Sequence, residues 1–305
     1  MSCLFSETDY AMKRNILKGL AFSSIFALGL LGGSLLASEA AELEAAGAKV
    51  RLTPDGQVLV IDARKAPEFT GESLADLPAL KDLKLNGMQV TDATLPNLAS
   101  FTSLASLALD KTAVSDAVME KIAQLPALTQ LFMAETNVTD AGTVKLDLSR
   151  FVRLRLAGTK ITDATLKRLG NSQKLQSLDV SSTQVTSAGA AALAGIETLA
   201  DVNFYATQLD DAACNVFARM PQLVKLNLDK TFVTDAGVGK LAGLENLEFL
   251  HLGRTSVTDA CIPALLKLKN LKTLHVTRTQ ITPEGAAQLE AGLPECQVIS
   301  KVEGE

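Results

Sequence analysis

The two histidines of the chain, His251 and His275, stand 24 residues apart, and Lys230, Arg254 and Arg278 recur at the same spacing beside them. If that spacing is a structural period, the two imidazoles lie side by side on adjacent strands, about 4.8 Å apart. Two chemistries follow from such a pair. One is half of a metal site, the other an anion-accepting patch. Zinc takes three or four ligands. The neighbours in the pattern are Asn227, Phe249, Thr273, Arg254 and Arg278, with no carboxylate or thiol among them. Nearby cations oppose a metal, so the pattern favours the anion-accepting patch over a metal site. The bland alternative is a solvated polar surface. A hydrolase built on the pair lacks a nucleophile and an acid partner in register.

Other reactive types point nowhere in particular. The cysteines Cys3, Cys214, Cys261 and Cys296 form no C-x-x-C pair, so neither a zinc knuckle nor a redox motif is indicated. Cys214 falls in a column of apolar residues and reads as core. No G-x-S-x-G, H-E-x-x-H or Walker loop occurs; GVGKLAG, from Gly237 to Gly243, lies inside a helical pattern rather than between a strand and a helix. Catalytic residues, cofactors and metals are therefore not expected.

The elements that would hold the histidines come from a repeat. L-x-x-L-x-L recurs, with its second apolar residue at Leu83, Leu107, Leu131, Leu154, Leu178, Val202, Leu226, Leu250 and Leu274. Every step is 24 residues except that from Leu131 to Leu154, which is 23. A fixed period of this length marks a repeat architecture. Two half-units extend the register, with Leu59 one period before Leu83 and Val298 one period after Leu274. In each unit L-x-L alternates as a half-buried strand does. Apolar residues then follow at helical spacing, as in Val238, Leu241 and Leu244.

The phrase T-D-A marks the join between strand and helix. Thr91, Ser115, Thr139, Thr162, Thr186, Asp210, Thr234, Thr258 and Thr282 are expected to cap the helices with their side-chain oxygens. The Asp that follows most of them suits the positive end of the helix dipole. A second threonine column runs Thr112, Thr136, Thr159, Thr183, Thr207, Thr231, Thr255 and Thr279, with Met88 as the exception. Its hydroxyls are expected to satisfy a backbone group of the next coil.

The pattern L-x-x-L-x-L-x-x-T-x-V-T-D-A-x-L-x-x-L resembles the leucine-rich repeat family, in a bacterial form with Thr where Asn more often stands. It covers about Leu59 to Ile299. The resemblance implies an α/β fold, a right-handed solenoid or horseshoe with parallel strands on the concave face and short helices on the convex face. The expected organisation is a signal peptide or membrane anchor over 1–40, an N-terminal cap and degenerate first repeat over 41–76, nine repeats over 77–291 and a C-terminal cap over 292–305.

On the strand face, one column reads Lys84, Ala108, Phe132, Arg155, Asp179, Asn203, Asn227, His251 and His275. The next reads Asn86, Asp110, Ala134, Ala157, Ser181, Tyr205, Asp229, Gly253 and Thr277, and a third Gly87, Lys111, Glu135, Gly158, Ser182, Ala206, Lys230, Arg254 and Arg278. Candidate partner-binding residues are Phe132, Arg155, Tyr205, Asn227, Lys230, His251, Arg254, His275 and Arg278. Cross-strand pairing with Asp179 accounts for Arg155 without a ligand.

The net charge of −5 and the pI near 5.3 argue against nucleic acid as partner. Residues 12–40, MKRNILKGLAFSSIFALGLLGGSLLASEA, have a basic start, an uncharged apolar run from Gly19 to Ala37 and then small residues, which is the grammar of an export signal. Nineteen apolar residues are also about enough for an uncleaved anchor. Both outcomes put the repeats outside the cytoplasm, in the periplasm or cell envelope. The expected function is a non-catalytic module that binds a protein partner on its concave face. Alternatives are a self-associating structural envelope protein and a substrate receptor of the ubiquitin-ligase type. The latter would need an adaptor-binding domain ahead of the repeats.

Overall fold

A computed structural model describes residues 40–301, apart from 67, 68, 70–73, 75, 76, 88 and 96. The expected export signal or anchor lies outside the described residues. Among those described, no helix is long and apolar enough to cross a membrane.

Twelve strands form one open sheet in sequence order: β1 (Lys49–Leu52), β2 (Val58–Asp62), β3 (Asp82–Lys84), β4 (Ser106–Ala108), β5 (Gln130–Phe132), β6 (Arg153–Arg155), β7 (Ser177–Asp179), β8 (Asp201–Asn203), β9 (Lys225–Asn227), β10 (Phe249–His251), β11 (Thr273–His275) and β12 (Gln297–Ile299). The strands from β2 onward are parallel, and each pairs the repeated Leu of one unit with that of the next, as Leu250 with Leu274. The C-terminal half-unit falls where the period puts it, with Val298 opposite Leu274. At the other end the register differs. Ile61, not Leu59, pairs with Leu83 and is fully buried. β1 also precedes the first parallel strand and pairs with β2 antiparallel, a hairpin that covers the N-terminal edge of the sheet.

Each three-residue strand from β3 to β11 buries its middle side chain, and the helical turn that follows adds buried residues of its own. Seven-residue helices stand at Asp163–Leu169, Asp211–Phe217 and Asp235–Leu241, shorter turns at Asp140–Thr143, Ser187–Ala190 and Ile262–Leu265, and the last helix spans Pro283–Gly292. One apolar core cluster, with Phe101, Phe151, Phe204 and Phe217 among its fully buried side chains, runs from Ala40 to Leu293. In the 23-residue unit the helix is a single turn. Arg168 of the next helix reaches back to its end, donating to the carbonyls of Thr143 and Leu146.

The capping column behaves as the sequence predicts: Thr139, Thr162, Thr186, Thr234 and Thr258 each accept from the N–H two residues on. The Asp after the cap does more than complement a dipole. Its carboxylate crosses to the next coil and takes both the N–H and the hydroxyl of the following cap. Asp92 binds Ser115, Asp116 binds Thr139, Asp140 binds Thr162, Asp163 binds Thr186, Asp211 binds Thr234, Asp235 binds Thr258 and Asp259 binds Thr282. The N–H bonds are 2.7–3.1 Å long. The hydroxyl bonds are 2.5–2.8 Å. The one remaining junction reverses the roles, with Ser187 donating its hydroxyl to Asp210 at 2.6 Å and accepting the Asp210 N–H at 3.0 Å.

The second threonine column, expected to bridge coils, instead closes its own turn. Thr112, Thr136, Thr159, Thr183, Thr207, Thr231, Thr255 and Thr279 each donate to the carbonyl three residues back at 2.6–2.8 Å. The reason lies one residue earlier. Gly87, Lys111, Glu135, Gly158, Ser182, Ala206, Lys230, Arg254 and Arg278 all have φ between 54° and 70°, the left-handed region that costs a side-chain-bearing residue about 1–2 kcal/mol. From Gly87 to Arg254, each aims its N–H at a carbonyl of the next coil, 2.7–3.0 Å away. The hydroxyl ties the sharp turn, and the backbone makes the bridge.

Candidate functional site

Strand-end side chains in the C-terminal half share one device. Asp179 Oδ1, Asn203 Oδ1, Asn227 Oδ1 and His251 Nδ1 each accept the N–H two residues on, at 3.0–3.1 Å. This turns the amide nitrogens of Asn203 and Asn227 outward. It also fixes His251 as the tautomer protonated at Nε2.

That Nε2 lies 3.9 Å from Asp229 Oδ2. The sequence pattern shows no acidic neighbour for the histidines, but the turn after β9 folds Asp229 back beside them. Gly253 leaves the room. A Cβ there would sit 2.7 Å from His251 Cε1, 2.9 Å from Thr277 Oγ1 and 3.1 Å from Asp229 Oδ1. Asp229 is 4% exposed and is held by two hydrogen bonds from the Arg254 guanidinium, from Nε at 2.9 Å and from Nη2. The same guanidinium lies 5.1 Å above the Tyr205 ring. The two imidazoles stack at 4.3 Å with planes 2° apart, and Phe249 closes on them at 5.6 Å from His275 and 6.3 Å from His251.

The electrostatics follow from burial. Loss of water pushes the His251 pKa down to about 4, opposed by Asp229 and assisted by His275 and Arg254. Burial also lowers His275. Both rings are therefore neutral near pH 7, and the Arg254 charge is offset by Asp229. An anion-accepting patch built on all five of His251, His275, Lys230, Arg254 and Arg278 is thus weaker than their types imply. Lys230 is exposed and makes no ion pair among the described residues, whereas Arg278 is itself engaged. No group of three His, Cys, Asp or Glu side chains able to hold a metal occurs among the described residues. Burial drives the Cys214 and Cys261 thiols up to about 12, which leaves them inert.

The nine candidate residues separate into two groups. Tyr205, Asn227, Lys230, His251, Arg254, His275 and Arg278 belong to consecutive coils. Beside them on the strand face is a depression of about 280 Å³ lined by Asp201, Asn203, Lys225, Asn227 and Phe249. Phe132 and Arg155 stand apart, three and two strands before β8. Arg155 pairs with Asp179 at 3.2 Å and reaches Asp110 at 3.4 Å. Asp110 is 7% exposed, and burial raises its carboxyl pKa. Arg153 lies 5.8 Å over the Phe132 ring. Arg155 thus sits as a counter-charge to the half-buried Asp179, as cross-strand pairing predicts, and to the buried Asp110.

One residue escaped the sequence reading. Phe232 is 68% exposed, on the rim of a second depression of about 500 Å³ that includes Ala206, Gln208, Lys230, Arg254 and Ser256. Its signal is the T-x-V column. The residue between Thr and Val is Gln89, Ala113, Asn137, Lys160, Gln184, Gln208, Ser256 or Gln280 in the other coils, and an aromatic only at Phe232.

The sheet of stacked Leu units and capped turns is a leucine-rich repeat solenoid. A family model described as Leucine Rich repeat matches residues 171–194 and 267–289. Among solved structures, the fold is similar to that of an internalin (inlF) from Listeria monocytogenes, at 19% identity over 88% of this chain and 90% of that one, with a TM-score of 0.56. It is also similar to an internalin C2 (inlC2) from Listeria monocytogenes, at 24% identity over 70% of this chain and 84% of that one, with a TM-score of 0.53. No curated protein matches the chain.

Proposed function

We propose that the chain is a non-catalytic protein-binding module, exported or held in the cell envelope by its N-terminal segment, and that its partner seats on the strand face over the C-terminal coils. The observation that carries this is the meeting of the Tyr205–Arg254–Asp229 and Phe249–His275–His251 clusters at His251 and Asp229, with Phe249 also lining the depression at Asn203, Lys225 and Asn227. Aromatic and arginine side chains held rigid at the centre of a surface are what dominates protein binding. Solenoids offer such surfaces along their inner sheet. The shallow form favours an extended protein surface over a small molecule, which is usually enclosed. The non-catalytic part is supported by the inert thiols and by an imidazole whose Nδ1 is occupied by a backbone donor. Export is supported by the sequence of residues 12–40.

The test is photo-crosslinking in cells, with a reactive residue placed at Asn227 or, on the helix side, at Lys240. One adduct of defined mass from position 227 and none from position 240 is expected. Equal labelling from both positions, or adducts with cytoplasmic proteins alone, would sink the proposal.

A further inference from the structure

We infer that the partner is held over the turn-side edge of the sheet as well as on the strand face, with Phe232 as its apolar anchor, and that the docking segment carries a carboxylate beside an apolar surface. The inference rests on the protein-binding function proposed above and names the chemistry of the partner at that site.

Three independent observations meet at this edge. The repeat supplies its own control. Coils that share the same turn, the same Thr231-type hydroxyl bond and the same left-handed residue put a polar or small side chain where Phe232 stands. The turn geometry therefore does not ask for an aromatic, and the ring does not enter the core, since it is 68% exposed. Beside it, the Lys230 ammonium is exposed and makes no ion pair among the described residues. Arg254, which lines the same depression, lies over the Tyr205 ring and is tied to Asp229. Those contacts are in place without a partner, so Arg254 has less side-chain freedom to lose on binding than an unpaired arginine.

The depression of about 500 Å³ at this edge is lined by the Phe232 ring, by Lys230, which makes no ion pair among the described residues, and by Arg254. Charge complementarity assigns the occupant: a protein segment with an aspartate or glutamate to meet Lys230 and an aliphatic or aromatic side chain to meet Phe232. The outward strand positions of β8 to β11 carry one acidic and one basic residue, Asp201 and Lys225, which balance, so the preference for a carboxylate comes from Lys230 itself.

The experiment uses the full-length tagged chain with p-benzoylphenylalanine at Asn227 or at Phe232, irradiated in cells, the adduct being mapped by mass spectrometry. The same partner is expected from both positions, joined through a segment that holds an acidic residue next to an apolar one. In the Asn227-labelled chain, Phe232→Gln and Lys230→Glu should each reduce the adduct at least tenfold. Phe232→Gln installs the residue that Gln184 and Gln208 provide in neighbouring coils, so its melting temperature should match that of the parent. An adduct at Asn227 that Phe232→Gln leaves unchanged would overturn the edge assignment and leave the strand-face function standing. An adduct of Phe232 with a second copy of the chain would overturn it in favour of self-association. No adduct from either position would overturn both.

Discussion

His251 and Asp229 meet in the space that Gly253 leaves empty, Nε2 to Oδ2 at 3.9 Å. The carboxylate does not charge the imidazole. Arg254 already satisfies Asp229, and burial outweighs the remaining attraction, so the ring stays neutral in the folded chain.

This sets a pH dependence. The His251 pKa is near 6.5 in the unfolded chain and about 4 in the folded one. The unfolded state therefore binds the extra proton first as pH falls. The contribution of His251 to stability is intact above about 6.5 and is lost progressively down to about 4. His251→Asn installs the residue that Asn203 and Asn227 place at the same strand end, and keeps an acceptor for the Gly253 N–H. Melting temperatures at pH 7 and pH 5 should differ less in this variant than in the parent. An equal drop in both would show that His251 titrates as it does in water.

The left-handed turn residues predict a gain of stability. Ala206 has φ 54° and no polar side chain to ease it. Gly adopts that conformation freely but has more freedom to lose on folding. Ala206→Gly should therefore raise stability by about 0.5–1 kcal/mol. Urea unfolding followed by circular dichroism would register this as a higher midpoint at unchanged slope. A lower midpoint would mean that the Ala206 methyl packs better than its strained backbone costs.

The reversed junction predicts a rescue. Ser187→Asp alone brings two carboxylates to hydrogen-bond distance at Asp210 and leaves them short of donors. A loss of about 1–3 kcal/mol is expected. Adding Asp210→Thr and Ala213→Gly rewrites the junction in the form used by Asp211, Thr234 and Gly237, where a Cβ on the glycine would sit 2.3 Å from the aspartate. The triple variant should recover most of the loss. Failure to recover would show that the coils at this junction differ in more than their hydrogen-bond partners.

Much of this structure was legible in the sequence. Burial of one Leu column has a fixed period, so strand positions and nearly all the register follow from counting, and capping has a local signature. What was not legible depends on direction in space. Two threonine columns have the same composition, and nothing local says that the first faces the neighbouring coil while the second folds back on its own turn. Leu59 and Ile61 are equally apolar, and a hairpin before the first parallel strand decides which is inward. Asp229 belongs to a turn, two residues from the strand, so its approach to His251 appears only once the chain is bent. Phe232 is visible in its column but lies in the turn, outside the strand positions that form the sheet face.

The reversed pair at Ser187 and Asp210 has a consequence for how the chain finds its fold. In a tandem repeat any coil can be mistaken for another, and a coil that stacks one unit out of place still matches leucine against leucine. Here such a slip is penalised. Docking the coil of Asp163 directly onto that of Asp210 sets carboxylate against carboxylate, and docking the coil of Ser187 onto that of Thr234 replaces two hydroxyl–carboxylate bonds by a single hydroxyl–hydroxyl contact. One inverted link thus gives an otherwise uniform stack a landmark, against which misaligned folding intermediates can be rejected.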